Sequence, residues 1–427
     1  MPLPLTTIQQ DIQVKFRYAV HFTRDLFAPH NPLFKDTLAS DAAATPRKLL
    51  VALDRGVHHY HPQLLNKIEA YCRCQRETLM LMGAPLLFEG GEHLKNDALY
   101  VTIVQQAIHA AGLCRHSYVV AIGGGALIDL VGFAAATAHR GLRLIRVPTT
   151  VMAQADASIG VKNGINAFGK KNFIGTFAPP VAVLNDADFL PTLSQRDWIG
   201  GVAEAIKVAL IKDADFFAYL EEHAAALAER DLALMEQVIY RCAVLHLDHI
   251  AKSGDPFEFG SSRPLDFGHW AAHKLEHLSG YGLGHGQAVA IGIALDSTYA
   301  YLEGLLPQNQ WQRILTTLRT LGFELYDPCM DAPDELLIGL NEFREHLGGR
   351  LTIMLLWDIG QGIEVHDIDL DLMRQSLIVL QDLAAASPGY GPRIAVQRAD
   401  RPGLGRRATA KLRQLRLLSL QKRNELF

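Results

Sequence analysis

The chain has 427 residues, 49% hydrophobic and 20% charged, with a formal net charge of −4. That length exceeds one compact core and implies two domains, and the composition is that of an ordinary soluble globular protein. No apolar run reaches the ~18 residues of a membrane span, and the opening MPLPLTTIQQDIQVKF lacks a basic region before an apolar core, so neither a span nor a secretory signal is expected.

Charge is unevenly spread. Ten Arg or Lys face two acids between Ser387 and Phe427, a surplus of eight positive charges that leaves about −12 on the preceding body. Such a tail can bind nucleic acid, but it carries no aromatic interleaving and no DNA-binding motif, so it reads as a solvated extension without a nucleic-acid partner. The five cysteines (Cys72, Cys74, Cys114, Cys242, Cys329) are odd in number and show no paired metal spacing. They read as reduced thiols and point to the cytoplasm.

The first half alternates short β-rich runs with helical stretches. RKLLVALD, ETLMLMG, SYVVAIGGG, LRLIRVP and VAVLND read as buried strands, and FRYAVHFTRDLF adds an outlying one. HPQLLNKIEAYCRCQ and NDALYVTIVQQAIHAAGL between them read as helices. This order predicts a parallel sheet with ligands at the carboxyl ends of its strands. After Pro191 the pattern turns helical, from RDWIGGVAEAIKVALIK onward, with a small hairpin at GRLTIMLLWDIGQGIEV. The expected fold class is therefore α/β: an N-terminal Rossmann-like parallel-sheet domain over 1–190, a mostly α-helical metal-binding domain over 191–386, and a basic extension over 387–427.

Three motifs carry chemistry. Gly123, Gly124 and Gly125 follow a strand and open a helix bearing Asp129. Glycines there let a backbone approach a pyrophosphate, although a ligand-free strand-to-helix turn would look the same. The stretch VPTTVMAQADASIGVKNGINAFGKKNFIG sets Thr149, Thr150, Asp156, Lys162, Asn166, Lys171 and Asn172 on a Gly-punctuated loop, and lysines and amides gathered there suit a phosphorylated ligand. A solvated polar loop is the alternative. Finally, Glu204 lies in a helix with Lys207 one turn on, His269 and His273 are four apart, and His285 follows in the loop GHGQAV. Two imidazoles and a carboxylate make a normal catalytic zinc set, although 18 histidines will produce an i,i+4 pair by chance. His277 continues the stripe as a polar-face residue.

Taken together, these residues resemble dehydroquinate synthase and its sugar phosphate cyclase relatives, from roughly Asp54 to Val365. The resemblance implies that Asp54, Glu92, Lys95, Gly123, Gly124, Gly125, Asp129, Thr149, Thr150, Lys171 and Thr192 contact NAD. It implies that Glu204, His269 and His285 bind a divalent metal, zinc first and cobalt second. It places Arg140, Asp156, Lys162, Asn172, Lys207 and His273 around the substrate and its phosphate. The implied reaction oxidises a substrate hydroxyl transiently with NAD, eliminates phosphate, returns the hydride and closes a carbocycle by an aldol step. The family also implies a homodimer, with Arg140 reaching a neighbouring site.

Departures from the family pattern bear on the substrate. The family carries a Lys, an Arg and an Asn at fixed offsets before the metal-binding Gly-His, and counting back here gives Asp248, Ser262 and Asp266, with Arg263 one place displaced. Its Lys-rich segment near the hairpin is replaced by EFREHLGGRL, leaving Arg344 and His346 as phosphate contacts. These changes resemble the branch that cyclises carboxylate-free sugars such as sedoheptulose 7-phosphate. The segment GDPFEFGSSRPLDFGHWAAHKLEH is also similar to a divergent homologue encoded in bacterial clusters with a prenyltransferase. The alternatives are an authentic 3-dehydroquinate synthase, a metal-dependent polyol dehydrogenase and a non-enzymatic binding homologue.

Overall fold

The computed structural model describes residues 7, 9–39, 46–252, 257, 266–346 and 349–386. Ser262, Arg263 and the basic extension lie outside them, as does the side chain of His346.

Seven strands form one sheet: β1 (Ala19–Thr23), β2 (Arg47–Asp54), β3 (Leu79–Leu81), β4 (Leu86–Phe88), β5 (Tyr118–Gly123), β6 (Arg143–Pro148) and, after a separate hairpin, β9 (Ala182–Asp186). They lie in the order β1-β9-β6-β5-β2-β3, with β4 also on β2, and every pair is parallel. The expected outlying strand is thus the edge strand β1. Continuous apolar runs form these strands because both faces are covered. Along β5, Tyr118, Val120 and Ile122 join the core cluster of Phe34 and Tyr71, while Val119 and Ala121 join that of Val104 and Ile128.

The chain leaves β2 toward β3 and β4 and returns on the other side as β5, so β2 and β5 flank the topological switch point. Their carboxyl ends, Asp54 and Gly123, mark the crevice where such sheets bind ligands.

The stretch 162–177 differs from the expected loop. It is an antiparallel hairpin of β7 (Lys162–Ala167) and β8 (Lys170–Phe177). Phe168 and Gly169 turn it, both at positive φ (54° and 72°), the conformation that two-residue hairpin turns require. Lysines and amides that suggested a loop stand here on a ribbon.

From Gln195 onward helices dominate, with the predicted hairpin present as β10 (Ile353–Asp358) and β11 (Gln361–Val365). Helix Gln195–Lys212 starts at Ser194, whose hydroxyl accepts from Asp197 N. It meets helix His285–Glu303 through facing glycines: a Cβ on Gly286 would stand 2.1 Å from Gly200 O. That backbone contact lies one turn before Glu204 and one residue after His285. Among the described residues no helix is long and apolar enough to cross a membrane.

Candidate metal and nucleotide site

Glu204, His269 and His285 come from three helices, and one ligand atom from each lies within 4.8 Å of the others. Glu204 Oε1 is 3.6 Å from His269 Nε2 and 3.3 Å from His285 Nε2. His285 is the first residue of its helix rather than part of a loop, so the backbone fixes its direction. His269 Nδ1 lies 3.2 Å from Phe267 O, a contact that puts its proton on Nδ1 and leaves Nε2 as a lone pair. His285 Nδ1 lies 3.2 Å from Glu276 Oε2, with the same consequence.

At Glu204 and His269 electrostatics agree with a ligating role. Burial works against the Glu204 carboxylate, but Lys207, in direct ion contact, and the two imidazoles hold it well below the usual range. Burial, then Lys207, push His269 down to about 3, so it stays neutral. Glu204 Oε1 is buried without an aligned hydrogen-bond donor. An oxygen left facing two imidazole lone pairs is the situation a divalent cation resolves. The donor set fits the metal.

Beside this set, Asp156 sits in a π-turn, Ala153–Ala157, with Oδ1 2.6 Å from His246 Nδ1. Burial opposes its charge, but Lys207 and His246 bring it to about 2. Burial also works against Lys207, yet Glu204 and Asp156 outweigh it and raise the ammonium, with Asp266 adding to the effect. His273 is exposed, its ring centroid 5.4 Å from His269 and 6.1 Å from His285. His277 is exposed, as expected.

The glycine turn separates packing from binding. A Cβ at Gly123 would stand 2.6 Å from Leu127 Cδ2 and 3.0 Å from Asp54 Cβ, and one at Gly125 would stand 3.1 Å from Ala157 Cβ, so a side chain at either presses on the protein itself. A Cβ at Gly124 would meet only Thr150 Cγ2, at an ordinary 3.6 Å. Gly124 opens helix Gly125–Thr137 without a side-chain cap, leaving first-turn N–H groups for a pyrophosphate. Asp54 stands at the neighbouring strand end, accepting from Gly56 N at 2.7 Å. Thr149 N bonds Gly123 O at 3.0 Å, Thr150 Oγ1 accepts from Ala153 N at 3.2 Å, and Thr192 Oγ1 lies 3.0 Å from His61 Nε2.

Lys95 is almost fully buried and ties the hairpin to this crevice. Its Nζ is 2.9 Å from Asp129 Oδ2 and 3.6 Å from Glu92 Oε1, and it also meets Asn172 Oδ1. Burial disfavours its charge, but Asp129 and Glu92 prevail and raise it. Asn166 donates to Glu92 at 3.1 Å and accepts from Asn172 N at 2.8 Å. Lys162 begins β7 with its carbonyl held by Arg146 at 3.1 Å. Lys171 reaches the metal half, 3.1 Å from Glu276.

One expectation changes. Asp248 is exposed, and it is His246, two residues earlier on helix Leu232–Lys252, that meets Asp156. Helical residues two apart point about 200° apart, so only one can face the cleft. Arg140 is exposed beyond the far end of helix Gly125–Thr137, about 20 Å from the glycine turn at 1.5 Å per residue, so the fold does not bring it to this chain's own site. Arg344 is exposed on helix Pro333–His346.

Sequence reading missed Glu276, His246 and Asp296. Asp296 is buried and accepts from Trp270 Nε1 at 2.9 Å and Gly268 N at 3.0 Å, pinning the start of the helix that carries His269. A lone acid inside the apolar run AVAIGIALDSTYA was the available signal.

Sheet, glycine turn and three-helix donor set define a two-domain metal-ligating enzyme fold of the Rossmann-like kind. The chain belongs to the 3-dehydroquinate synthase family of sugar phosphate cyclases. Residues 85–200 match the family model for the 3-dehydroquinate synthase N-terminal region and 201–338 its C-terminal counterpart. It is 33% identical to 2-epi-5-epi-valiolone synthase of Streptomyces glaucescens, covering 85% of this chain and 91% of that protein. It is 37% identical to 3-dehydroquinate synthase of Coxiella burnetii over 62% of this chain and 74% of the relative. The solved 2-epi-5-epi-valiolone synthase of Streptomyces hygroscopicus, with NAD+ and Zn2+ bound, superposes with a TM-score of 0.79 at 30% identity, over 88% of this chain and all of that one. A glycerol dehydrogenase of Schizosaccharomyces pombe, at 14% identity and a TM-score of 0.56 over 88% and 92% of the two chains, shares the fold alone.

Proposed function

We propose that this protein is a cytoplasmic sugar phosphate cyclase that converts a linear, carboxylate-free seven-carbon ketose phosphate, sedoheptulose 7-phosphate or a close analogue, into a carbocycle with loss of phosphate. The observation that carries the reading is the Glu204–His269–His285 set, with Lys207 in contact with Glu204 and Asp156 held beside them by His246. When bound, a divalent ion (zinc, or cobalt in its place) and NAD would supply Lewis acidity at a substrate oxygen and a transient acceptor for its hydride.

The chain's own residues do the rest. Glu204, His269 and His285 hold the ion. Gly124 and the helix start behind it receive the pyrophosphate, with Asp54, Glu92, Lys95, Asp129, Thr149, Thr150 and Thr192 around the cofactor. Asp156, oriented by His246, accepts from substrate hydroxyls, and Lys207 steadies negative charge developing on the neighbouring oxygen. Lys162, Asn172 and His273 hold the substrate phosphate, which itself takes the proton from the acidified C–H as it leaves. Arg140 completes this phosphate site from a second subunit of a homodimer.

Substrate choice rests on Asp266 and His246. Asp266 adds negative charge beside Lys207, and His246 brings to the cleft an imidazole engaged by Asp156. A substrate carboxylate there would meet like charge and lack charge-assisted hydrogen bonds worth roughly 1.5–3 kcal/mol each. We place the boundary between the halves at residues 190 and 191. The test compares phosphate release from sedoheptulose 7-phosphate with that from the carboxylated seven-carbon precursor of dehydroquinate, each with NAD and zinc. Turnover of the neutral sugar at least a hundredfold above the acid is expected; preference for the acid would make this a 3-dehydroquinate synthase proper.

A further inference from the structure

Glu276 lies where two parts of the molecule meet. It belongs to helix His269–Leu278 and is buried, only 4% exposed. Its Oε2 lies 3.2 Å from Nδ1 of His285. Lys171 Nζ, from β8, is 3.1 Å from its Oε1 and 3.3 Å from its Oε2. One carboxylate therefore engages both a metal-ligand imidazole and a cation on the hairpin. Burial opposes its charge, but His285 and Lys171 keep it ionised, well below the usual carboxylate range.

The geometry has two mechanical consequences. Accepting from Nδ1–H fixes the His285 tautomer and swings Nε2 toward Glu204 Oε1. Engaging Lys171 anchors β8 to the helical half, whereas Lys95 and Asn166 anchor the same hairpin to the sheet half through Glu92 and Asp129. The hairpin is thereby tied to both halves. Its two strands differ: Asn163–Asn166 of β7 are buried, with Ile165 in the core of the sheet half, whereas β8 is mostly exposed, with Phe173 facing solvent, so few packing contacts besides that of Lys171 hold β8.

We infer that Glu276 is a positioning residue with a double role: it orients His285 for the metal, and through Lys171 it ties strand β8 of the hairpin to the helical half. This rests on the metal reading above. Glu276 touches no reacting atom; it acts through His285 and Lys171.

The test uses the full chain, stripped of metal and titrated with zinc alone against a chromophoric chelator, with amide exchange of residues 170–177 followed in parallel. Wild type binding one zinc establishes the metal site first, so a failure of that reading shows before any variant is made. Glu276→Ala should weaken zinc ten- to a hundredfold, the usual cost of losing such a partner, and speed hairpin exchange. Glu276→Gln keeps one acceptor and the volume, so it should recover at least part of the zinc affinity, and it remains informative if the alanine variant folds poorly. Lys171→Met should speed hairpin exchange to a similar degree, and adding Glu276→Ala to it should bring little further change. Zinc affinity within threefold of wild type in both Glu276 variants, or hairpin exchange unaffected by Glu276→Ala and Lys171→Met, would overturn the proposal.

Discussion

The two sides of the cleft are built by different means. On the sheet side the site is mostly backbone: a glycine turn, an uncapped helix start and two strand ends, all within a short stretch of sequence around Gly123. On the helical side it is all side chain: a carboxylate and two imidazoles from three helices, the first and last 81 residues apart in sequence. A backbone site is lost by filling space, and a ligand set by removing a single atom. The first should therefore fail in binding alone, and the second in chemistry as well.

The largest effect belongs to the ligand set. Glu204→Ala, His269→Ala and His285→Ala should each lose the metal and lower turnover about a thousandfold or more, since a Lewis acid supplies several kcal/mol. Elemental analysis beside the rate decides it: full metal occupancy in any of the three would remove that residue from the set.

Next comes the turn. Gly124→Val should weaken NAD binding by about a hundredfold, or ~2.7 kcal/mol, with little change in thermal midpoint, because the protein itself leaves room there. Gly123→Ala should do the reverse, losing stability against Leu127. Calorimetry of NAD binding paired with thermal unfolding separates the two, and similar behaviour of both variants would mean the turn serves packing alone.

His246→Asn removes the group that orients Asp156 while keeping an amide nearby. Turnover should fall about tenfold with zinc affinity unchanged, a split that separates substrate positioning from metal loading. A drop in zinc instead would place His246 with the metal ligands.

The smallest effect is one of pH. Burial pushes Asp296 from 3.8 up to about 7, against the pull of its Trp270 and Gly268 donors. Below about pH 4 the carboxyl is protonated in both states. Between there and pH 7 the unfolded chain ionises and the folded one does not, so this group's contribution falls as pH rises. Asp296→Asn should flatten that slope by about 1 kcal/mol per pH unit, within the 1.36 kcal/mol limit for one proton. Denaturant midpoints at pH 5 and pH 7 measure it, and parallel slopes in wild type and variant would contradict the assignment.

Legibility followed the same division. The parallel sheet, the glycine turn and the helical half were readable because apolar runs, breakers and 3.6-residue periodicity are local signals. Glu204, His269 and His285 were named because their spacing matched a family pattern, not because sequence shows three helices converging. Glu276 and His246 escaped because an acid in KLEH and a histidine in an amphipathic helix read as ordinary surface or core until the partner at the other end is seen. Asp248 failed as a site residue because counting back across the stretch between two helices lost the helical phase, which the backbone of helix Leu232–Lys252 restores. The hairpin reads as a loop in sequence because its Gly and Asn residues mark turns at both scales.

In the proposed reaction the nicotinamide cofactor is used without being consumed, on a fold shared with a glycerol dehydrogenase. This is tested most directly by supplying sedoheptulose 7-phosphate, zinc and NAD at one equivalent per active site, and following phosphate and NADH together. Many phosphates released per NAD, with no lasting NADH, are expected. Accumulation of one NADH per site and no phosphate would contradict it, and would make the protein a dehydrogenase.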